Sequence, residues 1–391
     1  MKTAGRIHPV YAAMERTVFD RMSGLAREHA AINLGQGFPD APPPQALVEA
    51  AARALHEKSN QYPPGAGLPE LRQAICGFYA RRQGLELKAE QVTVTSGATE
   101  AIACAVLALV QPGDEVILFQ PAYDAYAPMV RRAGGVPVSV ALKPPHFAYE
   151  AEALEAAITP RTRALMFNDP LNPAGTVASV GELEMIATAC IAHDLIAICD
   201  DVWEDVRFDG QAHRSLMSLP GMAERSVKIG SAGKIFGATG WKVGWTIAQG
   251  ALATAISRAH QFVTYASAPP LQWAVAEGLD GAEALTESQR RDWTNARSRL
   301  TAGLVDAGFT VLPNAATWFV CVDLVASGLA LTDREFCERA VAEAQVAAIP
   351  VSALYAGEGA PTNLVRFCFT KSPVLLYEAV ARLAAFRATL A

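Results

Sequence analysis

Val92-Thr-Val-Thr95, then Ser96-Gly97-Ala98-Thr99, then Glu100-Ala-Ile-Ala-Cys-Ala-Val-Leu-Ala-Leu-Val110 is the stretch that decides the fold. Alternating Val and Thr suit a short strand, because β-branched side chains pack well on a pleated surface. Ala98–Val110 is almost continuously apolar and rich in Ala and Leu, so it reads as a helix. The turn between them contains Gly97, which lets the backbone bend tightly. Strand, turn and helix in this order are half of a βαβ unit.

Outward from this stretch the alternation continues. Glu115–Phe119 and Val136–Val140 read as strands on either side of a helical Tyr123–Arg132. Ala164–Asn168, a helix Gly181–His193, Leu195–Asp200 and Ser226–Gly230 follow. Apolar strands separated by helices predict an α/β fold with a mostly parallel central sheet covered on both faces. Such sheets bind ligands beyond the carboxyl ends of their strands. Ser96 to Thr99, Asn168, Asp200 and Ser231 all fall there.

After about residue 290 the texture changes. A helix Gln289–Ala307 leads to strands Phe309–Leu312 and Trp318–Asp323 and a helix Thr332–Ala344. Strands Val346–Ile349 and Val365–Phe369 and a last helix complete a smaller α+β unit. The expected division is a large unit, 46–290, and a small unit of 1–45 with 291–391. The turn-rich Leu34-Gly35-Gln36-Gly37-Phe38-Pro39-Asp40 belongs to the small unit.

At 391 residues the chain exceeds one small core. With 51% apolar and 18% charged residues it reads as globular. A net charge of −6 without a basic block argues against nucleic acid as a partner. The longest uncharged apolar run, Ala101–Val110, is half of what a membrane span requires, so no membrane partner is expected. Met1–Arg21 has scattered charges and lacks the apolar core of a secretory signal. Seven cysteines form no C-x-x-C pair, which suits buried thiols in a reducing cytoplasm, and no metal site is expected.

The segment Ser231-Ala-Gly-Lys234-Ile-Phe-Gly-Ala-Thr-Gly240-Trp241-Lys242-Val-Gly244-Trp245 concentrates the chemistry. A Lys just beyond a buried strand is desolvated, which lowers its pKa and frees its lone pair to attack a carbonyl. Ser231 and Lys242 bracket it with a hydroxyl and a cation suited to a phosphate. The plain alternative is a loop lysine that points to water. Ile235 excludes a Walker A loop, and the absence of Lys-Thr-Gly excludes the β-lactamase pattern.

Asp200 ends an apolar strand, where a carboxylate needs a partner. A protonated pyridine nitrogen would provide one. A helix cap or surface salt bridge is the alternative, and it suits Asp201 better, since its side chain points the other way. Ala98 and Thr99, in the turn after the first strand, offer free N–H groups and a positive helix end to a phosphate. Asn172 could donate to a ring hydroxyl, or simply make a turn. Tyr123 could stack on a ring, or pack in the core. Arg366, inside an apolar strand, needs an anion, which is either a bound carboxylate or an internal Asp or Glu.

Together these residues resemble class I aminotransferases of pyridoxal phosphate (PLP) fold type I, nearly end to end. Asn33-Leu-Gly-Gln-Gly-Phe-Pro-Asp40, Asn60-Gln-Tyr62-Pro, Ser231-Ala-Gly-Lys234 and Thr239-Gly-Trp-Lys-Val-Gly244 are similar to the branch of kynurenine, glutamine, methionine and N-succinyldiaminopimelate aminotransferases. The resemblance implies that Lys234 holds PLP as a Schiff base and shuttles the proton. Asp200 pairs the pyridine nitrogen, Asn172 meets the ring oxygen, and Tyr123 stacks on the ring. Ala98, Thr99, Ser231, Lys242 and Tyr62 of a neighbouring subunit hold the phosphate, so a homodimer follows. Arg366 and Gly37 take the substrate carboxylate, and Phe19 and Tyr265 join the substrate pocket. Trp203 stands where relatives have Tyr, and its indole N–H keeps part of that role. Ala316 and Asp169 replace the usual Gly and Thr.

The implied reaction is a ping-pong transfer of an amino group from an amino acid to a 2-oxo acid. The expected donors are aromatic, methionine, glutamine or kynurenine type. N-succinyldiaminopimelate transamination and β-elimination from cysteine conjugates are alternatives on the same site. An effector-sensing domain is the non-enzymatic one.

Overall fold

The computed structural model describes residues 6–357 and 359–390. Residues 1–5, 358 and 391 of the expected small unit lie outside the described residues. The large sheet has seven strands: β1 (Val92–Ser96), β2 (Glu115–Gln120), β3 (Val136–Ala141), β4 (Thr162–Asn168), β5 (Ile196–Asp200), β6 (Ser226–Ser231) and β7 (Val243–Ile247). Their spatial order is β1-β7-β6-β5-β4-β2-β3. Neighbours from β6 through β3 run parallel, and β7 runs antiparallel to both β6 and β1.

β7 lies in the segment expected only to carry loop chemistry. The Val-Gly-Trp-Thr-Ile run is too short to show a period, and Lys242 turns the chain into it at φ 55°. Gly244 is required here. A Cβ at that position would sit 2.8 Å from the Ala98 nitrogen, so only glycine lets β7 approach the turn after β1.

Helices cover the sheet. The helix after β1, α1 (Gly97–Leu109), packs against α2 (Gly250–Val263) and, with its run of small residues, is buried along most of its length. The helix between β4 and β5, Val180–Ala192, starts on a capping box in which Ser179 and Glu182 exchange hydrogen bonds. The helix after β2 starts at Tyr126, later than expected, with Tyr123 in the preceding turn. The long helix α3 spans Ala282–Asp306 and starts about two turns before the expected Gln289.

A second sheet, all antiparallel, has order β10-β11-β9-β8, from β8 (Thr310–Val311), β9 (Phe319–Asp323), β10 (Ile349–Pro350) and β11 (Leu364–Cys368). Ile32–Asn33 pairs in parallel with Val346–Ala347, which joins the first residues to this part of the chain. One buried cluster connects β9, β11 and α3 with α1 and β5, so the two sheets share apolar packing around the space between them.

Candidate active site

Parallel strands that all run the same way bring their carboxyl ends to one edge, and most of the expected residues meet there. A cavity of about 710 Å³ opens at this edge. Lys234, Trp203, Tyr123, Asn172, Arg366, Gly37 and Phe19 line it.

Lys234 follows β6 on a single helical turn, Ala232–Ile235. Its amine lies 4.6 Å from the Trp203 ring centroid and 5.0 Å from that of Trp318. Burial among these rings pulls it down to about 8, although Asp200 works in the opposite direction. The loop-lysine alternative is thereby corrected: this amine faces the cavity. Trp203 packs edge-on to Trp318 and Phe319, at 4.9 and 5.3 Å between centroids, and presents a ring face to the amine.

Asp200 is 6% exposed. Its Oδ2 accepts the Tyr126 hydroxyl, and its Oδ1 has no protein partner. Burial raises this carboxyl to about 6. A buried carboxylate oxygen without a partner can accept one N–H donor. Tyr126 escaped the sequence reading, because its partner Asp200 lies 74 residues away in the chain.

The phosphate candidates cluster by sheet register. Ser96 on β1 and Ser231 on β6 lie beside Val243 and Gly244 of the intervening β7. Gly97 has φ +73°, and a Cβ on it would meet the Lys242 amine at 3.1 Å. Ala98 and Thr99 are in the first turn of α1, where N–H groups have no helical acceptor. A cation, a serine and helix-start N–H groups therefore come together at one turn, where Gly97 admits the Lys242 amine, although Ala98, Thr99, Ser231 and Lys242 are not in the cavity lining itself.

Arg366 on β11 is 1% exposed. It donates to Asn172 Oδ1 at 3.0 Å and to the Gly35 carbonyl at 2.6 Å, while its Nε finds no partner. The guanidinium stacks on Phe319 at 3.9 Å and lies 5.1 Å from Phe19. Burial lowers it to about 10. Neutral acceptors and rings hold it, and the internal-carboxylate alternative is corrected. Gly37 packs so closely that a Cβ would meet Phe319 Cζ at 2.5 Å.

Asp201 was expected at the surface or at a helix cap, and the structure corrects this. It is fully buried, and Lys228 donates 2.6 Å bonds to Asp201 and to Glu204. Burial opposes charge on Asp201 and Lys228. The mutual attraction is stronger, and it holds the Asp201 carboxyl well below its usual range and raises the Lys228 amine. His213 stands 3.4 Å from Asp201 and 3.6 Å from Asp169. Asp201 faces away from the cavity, so this network braces the strand that presents Asp200 to it.

Two expected residues stand apart on this chain. Tyr62 is 86% exposed and Tyr265 is 40% exposed, and they pack edge-on at 5.5 Å, outside the cavity lining. The wall also holds residues missed in sequence: Tyr11, Met14, Asp20, Met129 and Arg132. Their helix and turn positions carry no motif.

These groups fit PLP: a buried amine, a carboxylate oxygen without a partner, a cation, a serine and helix-start N–H groups at one turn, and Tyr123 on the cavity wall. The sequence model of aminotransferase class I and II matches residues 30–383. A probable N-succinyldiaminopimelate aminotransferase DapC of Mycobacterium tuberculosis is 44% identical, covering 97% of this chain and 98% of its own. The methionine aminotransferase of Escherichia coli is 38% identical, covering 94% and 95%. The solved structure of the M. tuberculosis N-succinyldiaminopimelate aminotransferase superposes with a TM-score of 0.94 at 43% identity, over 97% of this chain and 99% of that one. Site geometry and full-length likeness converge, and the chain belongs to the class I and II aminotransferases as a PLP-dependent enzyme.

Proposed function

We propose that this enzyme moves the amino group of an amino acid with a bulky, largely apolar side chain, of methionine or aromatic type, to a 2-oxo acid. The observation that carries the reading is one cavity holding both an amine lowered to about 8 and a buried guanidinium with a free Nε. The first suits carbonyl chemistry, and the second suits the carboxylate shared by every 2-amino and 2-oxo acid. Tyr11, Met14, Phe19, Leu107, Pro128 and Met129 supply the apolar wall. Arg132 on the same wall favours a second reading, in which a distal carboxylate as in N-succinyldiaminopimelate is bound.

When bound, PLP supplies an aldehyde that condenses with primary amines and a ring that withdraws electrons. The side chains divide the remaining work. Lys234 would hold the cofactor through Nζ, and the same Nζ, when free, would take the proton from the substrate Cα as a general base. Asp200 would keep the ring nitrogen protonated through its free Oδ1. Asn172 and the Trp203 indole would meet the ring oxygen, and Tyr123 would stack on the ring. Ala98, Thr99, Ser231 and Lys242 would hold the phosphate. Arg366 and Gly37 would orient the substrate carboxylate.

The reading includes a homodimer in which Tyr62 and Tyr265 enter the neighbour's site, supported by their exposure beside each other on this chain. It also includes large and small units at 46–290 and 1–45 with 291–391, supported by the two separate sheets. A cytoplasmic place is supported by seven free cysteines, six of them buried. The test is a donor screen on the PLP-loaded protein, with 2-oxoglutarate and pyruvate as acceptors. Methionine and aromatic donors are expected to lead. Turnover confined to dicarboxylic amino acids would overturn the apolar-donor reading, and undiminished turnover by Lys234→Ala would overturn the mechanism.

A further inference from the structure

Glu100 poses an electrostatic problem. It lies one turn into α1, behind the N–H groups that would receive the phosphate, where a second negative charge repels the ligand. Its surroundings resolve this. Oε2 accepts the Ser96 N–H, which fixes the turn, and Oε1 lies 2.7 Å from Nδ1 of His260 on α2. The other nitrogen of His260, Nε2, lies 2.9 Å from the Gly65 carbonyl. His260 is 0% exposed and Glu100 is 8% exposed. Both ring nitrogens face acceptors, and a ring that donates to both carries a charge that offsets that of Glu100.

The far end of this bridge is the segment of Tyr62. Gly65 is three residues from Tyr62, and the Tyr265 N–H donates to the His260 carbonyl at 3.1 Å. Side chain and backbone of one histidine thus tie both exposed tyrosines to the phosphate turn. A metal site is not the better account of Glu100, Cys104 and His260, although their ligand atoms lie within 4.8 Å. Both His260 nitrogens are already engaged, and burial pushes the Cys104 thiol up to about 12.

We propose that His260 is a positioning residue for the cofactor phosphate. It neutralises Glu100 and locks the Ser96–Thr99 turn of one site to the segment that lends Tyr62 to the other site. The second clause rests on the shared-site reading above.

The experiment titrates cofactor-free protein with PLP and, separately, with pyridoxal, which lacks the phosphate, following tryptophan fluorescence. His260→Asn is expected to weaken PLP about tenfold, the scale of a lost charge-assisted hydrogen bond, and pyridoxal less than about twofold. Glu100→Gln attacks the same bridge from its other end and must give the same selective loss, which keeps the test usable if His260→Asn does not fold. Tyr62→Phe should weaken PLP less in the His260→Asn background than in the wild-type protein, because linked residues are not additive. An unchanged PLP-to-pyridoxal ratio in the bridge variants, or full additivity with Tyr62→Phe, overturns the proposal. Wild-type PLP affinity in Tyr62→Phe alone overturns the shared-site reading instead, and the ratio for His260→Asn still scores the phosphate role by itself.

Discussion

Asp200→Asn should act in opposite directions with and without cofactor. In the cofactor-free protein the carboxyl is raised from 3.8 to about 6, chiefly by burial with Oδ1 unpartnered. That rise corresponds to roughly 3 kcal/mol against the charged form at neutral pH. A raised acid pKa lowers stability above the folded value. The penalty shrinks as pH falls, to roughly half at pH 5, and vanishes below the unfolded value. Asn removes the charge and can still accept from Tyr126, but it buries an unpaired NH₂ that costs about 1 kcal/mol. The net expectation is a cofactor-free variant about 2 kcal/mol more stable than wild type at pH 7.5, with the gain largely gone at pH 5. With PLP bound the sign reverses, because the variant lacks the anion that pairs with the ring nitrogen, and cofactor affinity and turnover both fall. Urea unfolding of stripped and loaded protein at the two pH values measures this. A cofactor-free variant less stable than wild type at pH 7.5, or a gain that does not change with pH, would refute the argument.

Capture of PLP by the cofactor-free protein should accelerate as pH rises through about 8, because only the neutral Lys234 amine attacks the aldehyde; stopped-flow absorbance that is flat from pH 6.5 to 9.5 contradicts this. Arg366→Lys keeps a charge but loses the fork, and a loss of about 2 kcal/mol predicts a roughly 30-fold lower kcat/KM for donor and acceptor alike. Lys228→Met leaves Asp201 and Glu204 buried without their cation, so unfolding in urea should reveal a loss of about 3–5 kcal/mol, while a smaller loss would mean the network relaxes.

Much of the site was legible because its residues follow a rule of direction. In a parallel sheet each strand delivers the residue after its last apolar position to the same edge, so Ser96, Asn168, Asp200 and Ser231 converge whatever the helices contain. The resemblance then assigned Lys234, Arg366 and Asn172, and the cavity holds all three. Illegible were residues whose role depends on a partner far along the chain. Lys228 reads as an odd residue in an apolar strand until Asp201 and Glu204 meet it, and His260 reads as an ordinary helical histidine until Glu100 and Gly65 close on it.

The order of apolar runs and turns along the chain was sufficient for the α/β layers and for the sheet edge where the candidate residues gather, since local periodicity and strand polarity are written in neighbouring residues. Tertiary structure alone decided that Val243–Ile247 enters the sheet antiparallel, that Asp201 lies in the core, and that Tyr62 and Tyr265 leave their own cavity. Those outcomes depend on which distant surfaces pack and which buried charges find opposite charges, an energy that no single segment contains.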